Sequence, residues 1–125
     1  MLYMMLIHND PDVPLNVDDA IAQHKAVAGR ARAKGAYIYG ESLGPAHLSA
    51  TVRKSGGQPG TITDGPFAET KEFLAGFHII DCADLEEAIA YARDLPEGAV
   101  EVVPLRAVPG WDYPVAADRQ RAAFE

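Results

Sequence analysis

The side chain best suited to proton chemistry in this chain is His24. An imidazole titrates near neutrality, so it can take up a proton and give it back. Val17, Ile21, His24, Ala28 and Ala31 recur at helical spacing, which puts His24 in the apolar stripe that a helix turns toward a sheet. A carboxylate on its second ring nitrogen would fix the tautomer, and Asp64 and Glu41 are the acids that could supply it. The plainer reading of His24 is a buried imidazole satisfied by one hydrogen bond. Asp64 lies in the run Thr63-Asp64-Gly65-Pro66, where an Asp also accepts a backbone N–H and shapes the turn. Four further residues are candidates for holding a substrate. Arg53 could bind a carboxylate through two parallel hydrogen bonds, or pair instead with Asp64 or Glu69. Lys71 could contact an anion, and Glu69 could act as acid or base at a pocket rim. Phe67 would anchor the turn that carries them. Glu69, Lys71 and Glu72 read equally well as a solvated, charged turn.

Other chemistries find less support. The histidines are at positions 8, 24, 47 and 78, with no close pair on one helix face or strand, so no metal site is expected. Only a meeting of His24 with His78 in space would change that. Cys82 is the single cysteine, so no intrachain disulfide can form, and no activating neighbour marks it as a nucleophile. Gly56-Gly57 does not open a helix and is no phosphate loop. No organic cofactor is required. Eighteen acids against eleven bases give a formal charge of −7, which would repel a phosphate backbone or an anionic membrane. The apolar start, Met1 to Ile7, has no preceding basic residues and is too brief for a signal peptide or a membrane span. Nucleic-acid and membrane partners are thus not expected, and the cytoplasm is the expected location.

The elements that must position these residues are legible in the pattern. At 125 residues and 48% hydrophobic composition, the chain has the size of one domain with a real core. Leu2 to His8 reads as a strand apolar on both faces, hence central. Asn16 caps a helix that runs to about Lys34, with Gly35 at its left-handed exit. Ala36 to Glu41 is a strand. His47 to Lys54 and Thr61 to Asp64 form a hairpin around a glycine-rich turn. Ala68 to Phe73 has room for one helical turn, and Ala75 to Cys82 is a further strand. Asp84 and Glu87 start a second helix with Leu85, Ala88, Ile89, Ala92 and Leu95 as its core face, and Pro96 stops it. Val100 to Leu105 is the last strand. Residues 107–125 form a tail, with a short helix expected toward Phe124.

Two β-α-β units with both helices on one face make a ferredoxin-like antiparallel sheet of the α+β class, here with an inserted β-hairpin. Two helices cover only one face of such a sheet. A second copy of the chain is the simplest cover for the other, giving a homodimer, a dimeric α+β barrel. The tail could wrap the dimer partner.

The run Asp64-Gly65-Pro66-Phe67-Ala68-Glu69-Thr70-Lys71-Glu72 resembles the signature of the YCII-related family, in its DGPF-domain branch. Tyr3-Met4-Met5-Leu6-Ile7, Gly40-Glu41-Ser42-Leu43 and Thr51-Val52-Arg53 also fit, as do Leu85-Glu86-Glu87-Ala88 and Val100-Glu101-Val102. The resemblance spans residues 1–106. It implies a dimeric α+β barrel and, for the YCII-like group, a catalytic pair of a first-helix His with a nearby Asp. His24 matches the His. The Asp would fall near Tyr39 or Glu41, where this sequence has none. Two functions are therefore expected. One is a cofactor-independent enzyme that moves a proton on a small, anionic organic molecule, with His24 as base and Asp64 or Glu41 orienting it. The other is a non-catalytic module that binds a small molecule or a protein, of the kind linked with sigma-factor signalling.

Overall fold

Asn16 and Asp84 start the two helices where the sequence predicts them. The Asn16 side chain accepts from the Asp19 backbone N–H, and Asp84 accepts from Glu87 N–H at 2.9 Å. Each closes an otherwise orphaned donor of the first helical turn. The chain, described by a computed structural model for residues 1–66 and 72–125, runs β1 (Leu2–Asn9), α1 (Val17–Ala33), β2 (Tyr37–Ser42), β3 (Ala50–Arg53), β4 (Thr61–Asp64), β5 (Phe73–Asp81), α2 (Leu85–Arg93) and β6 (Ala99–Pro104). The one-turn helix expected within Ala68 to Phe73 falls largely outside the described residues, and Phe73 opens β5.

Four strands form one antiparallel sheet in the order β2-β5-β1-β6. This is the ferredoxin-like order, with β1 in the interior as its two apolar faces require. The hairpin β3-β4 forms a separate two-stranded sheet. Its first half differs from expectation: Ala46–Leu48 is a single 3₁₀ turn, so β3 begins only at Ala50. Pro45 leads into that turn and supplies no backbone donor for a strand ladder.

Tyr3, Met5 and Ile7 of β1 pack with Val27 and Ala31 of α1, with Ile80 and Cys82, and with Ala88, Tyr91 and Leu95 at α2. That cluster is the core between sheet and helices. Tyr91 takes the place that the pattern assigns to Leu85, which is exposed. The first half of α1 also departs from the pattern. Val17 is 68% exposed and Ile21 48%, so the stripe reaches the core only from Val27 onward. Beneath the outlying half the sheet presents Gly40, Ala75 and Gly76, residues too small to fill the gap.

The other face of the sheet carries Met4, Leu6, Phe77 and Tyr39. The tail folds back over one end of it, where Tyr113 and Val115 line a hollow with Leu2, Ile38 and Ile79. Leu2 N–H donates to Gln120 O, and Arg106 makes a parallel bridge with Ala122. Arg119 donates to Asp81 at 2.9 Å and to Gly35 O at 3.2 Å. No helix forms in the tail among the described residues, contrary to expectation. Ala116 lies at φ +50°, and Ala122 donates its backbone N–H to Leu105 O while its carbonyl accepts from Ala107, so the backbone groups a helix would use are bonded elsewhere. No helix of the described residues is long and apolar enough to cross a membrane.

Candidate functional site

The gap under the first half of α1 is a cavity of about 480 Å³, open at one end. Its mouth is apolar, with Leu15, Val17 and Ile21 from the helix side and Ile7 from the sheet. Its inner wall holds four polar side chains joined in a row. The Tyr37 hydroxyl bonds His78 Nδ1 at 2.7 Å, and His78 Nε2 bonds His24 Nδ1 at 2.9 Å. His24 Nε2 in turn meets Glu97 Oε1 in a short contact.

Each member arrives from a different element. His24 lies mid-α1, one turn before the helix enters the core. His78 sits in β5 directly opposite Gly40 of β2. Glu97 follows Pro96, in the turn between α2 and β6, where the end of the helix redirects the chain toward α1. Tyr37 opens β2. The β2–β5 register slips by one residue between Tyr37 and Tyr39, so Tyr37 and Gly40 share the helix-facing side despite their odd spacing. Such a bulge re-aims side chains in this way.

The site is half-dry. Glu97 is 5% exposed and His24 25%. Among the described residues, the second Glu97 oxygen is buried without a hydrogen-bond partner. Burial depresses the His78 pKa from 6.5 to about 4, helped by the charge of His24 and by Arg32 and opposed by Glu97. His78 is therefore neutral at neutral pH. Burial also raises the Tyr37 pKa, with Arg32 opposing and Glu41 adding to the rise. The Arg32 guanidinium lies 4.6 Å from the Tyr37 ring centre.

The sequence-derived candidates separate in space. His24 and Glu41 line the same cavity. Glu41 accepts from the Tyr39 hydroxyl at 2.8 Å, however, and the carboxylate on His24 is that of Glu97. Asp64 ends β4 opposite Ala50, and Arg53 ends β3 opposite Thr61, both exposed on the hairpin sheet. Neither is among the described residues that line the cavity. Gly65 has φ +99°, and its N–H donates to Ser49 O at 2.7 Å, so Asp64 leads into a built turn. Phe67, Glu69 and Lys71 lie outside the described residues.

His24 and His78 do meet, but head to tail. Each ring nitrogen of His24 points at a different neighbour, so the lone pairs do not converge on a point a metal could occupy. Among the described residues no group of three His, Cys, Asp or Glu could hold a metal ion. Burial, with the carboxylates of Glu87 and Asp81, pushes the Cys82 thiol up to about 12, which removes it as a nucleophile near neutrality.

Sequence reasoning missed Glu97, Tyr37 and the role of Gly40. Pro96-Glu97-Gly98 looks like a helix stop and nothing more, although an acid in a turn beside a helix end is a usual place for function.

Fold and site together define a ferredoxin-like α+β domain with a histidine–carboxylate cavity between its first helix and its sheet. The chain belongs to the YCII-related domain family, which it matches over residues 1–112. It is similar to an uncharacterised protein of Rhizobium meliloti (strain 1021), at 40% identity over 120 residues, covering 84% of this chain and 92% of that one.

Proposed function

We propose that this protein is a cofactor-independent enzyme that moves a proton on a small organic molecule bound in the cavity under α1. The observation that carries the reading is the His24–Glu97 pair, an imidazole held on a buried carboxylate in the cavity wall. Such a pair stores a proton, and the carboxylate is the counter-charge of the imidazolium. A cavity of about 480 Å³ with an apolar mouth and a few convergent polar groups suits a small ligand. Lys25 on its wall favours an anionic one. Isomerisation or elimination needs no more than proton movement.

The test is deuterium uptake from D₂O into a library of small oxo- and hydroxy-acids, followed by NMR. One member should exchange or isomerise, and His24→Gln and Glu97→Gln should each slow it by ~10²-fold or more. One observation favours a second reading, a module that binds without turnover: both ring nitrogens of His24 and of His78 already have partners. A library member that binds and never exchanges would establish that alternative and end the enzymatic one.

Self-association through the open sheet face belongs to the same proposal. Tyr39 and Val103 are exposed there, and the tail covers only one end of it.

A further inference from the structure

Acid–base chemistry in the cavity requires an atom that meets the ligand, and His24 has none to spare. We propose that Tyr37, His78, His24 and Glu97 form a directional proton relay whose ligand-facing end is the Tyr37 hydroxyl. This deepens the enzymatic reading above and rests on it.

The argument is an inventory of lone pairs and protons. The Glu97 carboxylate accepts, so His24 donates from Nε2. With His24 neutral, its Nδ1 must then accept, and His78 donates from Nε2. His78 Nδ1 accepts in turn, and the Tyr37 hydroxyl donates to it. Every proton in the row points toward Glu97. Both nitrogens of both imidazoles are used. Among the described residues, His78 is the only hydrogen-bond partner of the Tyr37 hydroxyl, whose lone pairs remain available on the cavity wall. The other unused atom, the second Glu97 oxygen, is buried. Tyr37 is thus the one member able to reach a ligand.

One proton balances through the row. A ligand X–H gives its proton to Tyr37 Oη as the Tyr37 proton moves to His78 Nδ1. The His78 Nε2 proton moves to His24 Nδ1. The ligand becomes an anion, His24 becomes an imidazolium on Glu97, and Tyr37 and His78 are again neutral. The Tyr37 O–H, now accepting from His78, is free to donate to the ligand. Running the row backward returns the proton, to the same atom or to another. No oxidant, reductant or second substrate is needed. The relay suits the intermediate role of His78, which must never hold two protons for long. The charged groups around it are Lys25 and Arg32 of α1, Glu41 of β2 and Glu97 itself.

The signature is a tautomer switch. In protein with ¹⁵N-labelled imidazoles, acidification that protonates His24 should move the His78 proton from Nε2 to Nδ1 while His78 stays neutral. In ¹³Cζ-tyrosine protein, the Tyr37 resonance should follow the same transition, and His78→Gln should uncouple it. Formate is the probe for the ligand-facing end. At saturation, against equal chloride, it should move the His78 switch up by ~1 pH unit, the size of one charge-assisted hydrogen bond. Tyr37→Phe should abolish that shift. A His24 that titrates over a His78 fixed in one tautomer would overturn the relay and leave the acid–base reading standing. A His24 that never titrates takes both away. Formate that moves wild type and Tyr37→Phe alike, or neither, removes Tyr37 as the ligand-facing end.

Discussion

Gly40 and His78 lie opposite each other across β2 and β5, and the space a Cβ at position 40 would fill belongs to the site. That Cβ would come within 2.8 Å of His78 Nδ1, and closer still to the Tyr37 hydroxyl. The third neighbour is backbone, Phe77 O at 2.9 Å, which cannot step aside. Gly40→Ala is therefore expected to part Tyr37 from His78 and to cost about 1–3 kcal/mol of stability, the usual range for overpacking. Chemical denaturation measures the cost, and the His78 ¹⁵N shifts report the lost hydrogen bond. An unchanged His78 spectrum in this variant would contradict the geometry.

Glu97 holds His24 from a buried position, so the two ways of altering it should differ. Glu97→Gln keeps a hydrogen-bond acceptor and removes the charge, with a stability loss of about 1 kcal/mol. Glu97→Ala leaves His24 Nε2 facing an empty space, and the loss should rise to about 2–3 kcal/mol. Urea unfolding of the two variants side by side decides it, with equal losses meaning that the neutral acceptor kept in Gln holds His24 no better than an empty space.

Stability should fall on acidification through the range set by His78. In the unfolded chain this group takes its proton near pH 6.5, but in the fold only near about 4. Between those values the unfolded state binds more protons, so stability is full above pH 6.5 and is lost as pH falls toward 4. His78→Gln removes the group and should flatten this part of the profile. Denaturation midpoints at half-unit steps across the window test it, and a slope that survives the substitution would point to another residue.

The tail should be releasable. Arg119 joins Asp81 and the Gly35 carbonyl. Burial works to raise the Asp81 pKa, but the hydrogen bonds and charges of the Met1 ammonium and Arg119 outweigh it and hold the carboxyl below its usual value. The Arg119–Asp81 pair is partly exposed, so Arg119→Met should cost only ~0.5–1 kcal/mol globally. Cleavage by trypsin at Arg121 should nevertheless speed up several-fold, since local opening precedes cutting. An unaltered rate would mean that the strand bridge at Ala122 suffices.

For the proposed dimer, sedimentation at micromolar concentration should give twice the chain mass. Tyr39→Glu and Val103→Asp should shift it to monomer without unfolding. A wild-type monomer under those conditions would remove the dimer from the proposal.

The ferredoxin-like order and both helix caps were legible because they rest on local rules, periodicity and capping chemistry. The position of His24 on a sheet-facing stripe was legible for the same reason. Its partner was not. Glu41 and Asp64 are the acids that an adjacent-strand argument selects. Glu97 is 73 residues away in sequence and reaches His24 only through the turn after α2. The cavity was hidden by the pattern itself, since Val17 and Ile21 have the spacing of core residues. They are exposed because Gly40, Ala75 and Gly76 leave nothing beneath them to touch.

The register slip in β2 makes the site a matter of counting. In a regular strand running back from Gly40, Ile38 would lie opposite Ile80 and Tyr37 would turn to the far side of the sheet. The bulge at Ile38 reverses that, so a chain one residue shorter here, with regular pleating, would carry the same four-membered row. A chain with the same spacing and no bulge would lack it while conserving every letter. Relatives of this protein should therefore be sorted by insertions and deletions between positions 37 and 40 before their site residues are compared by identity.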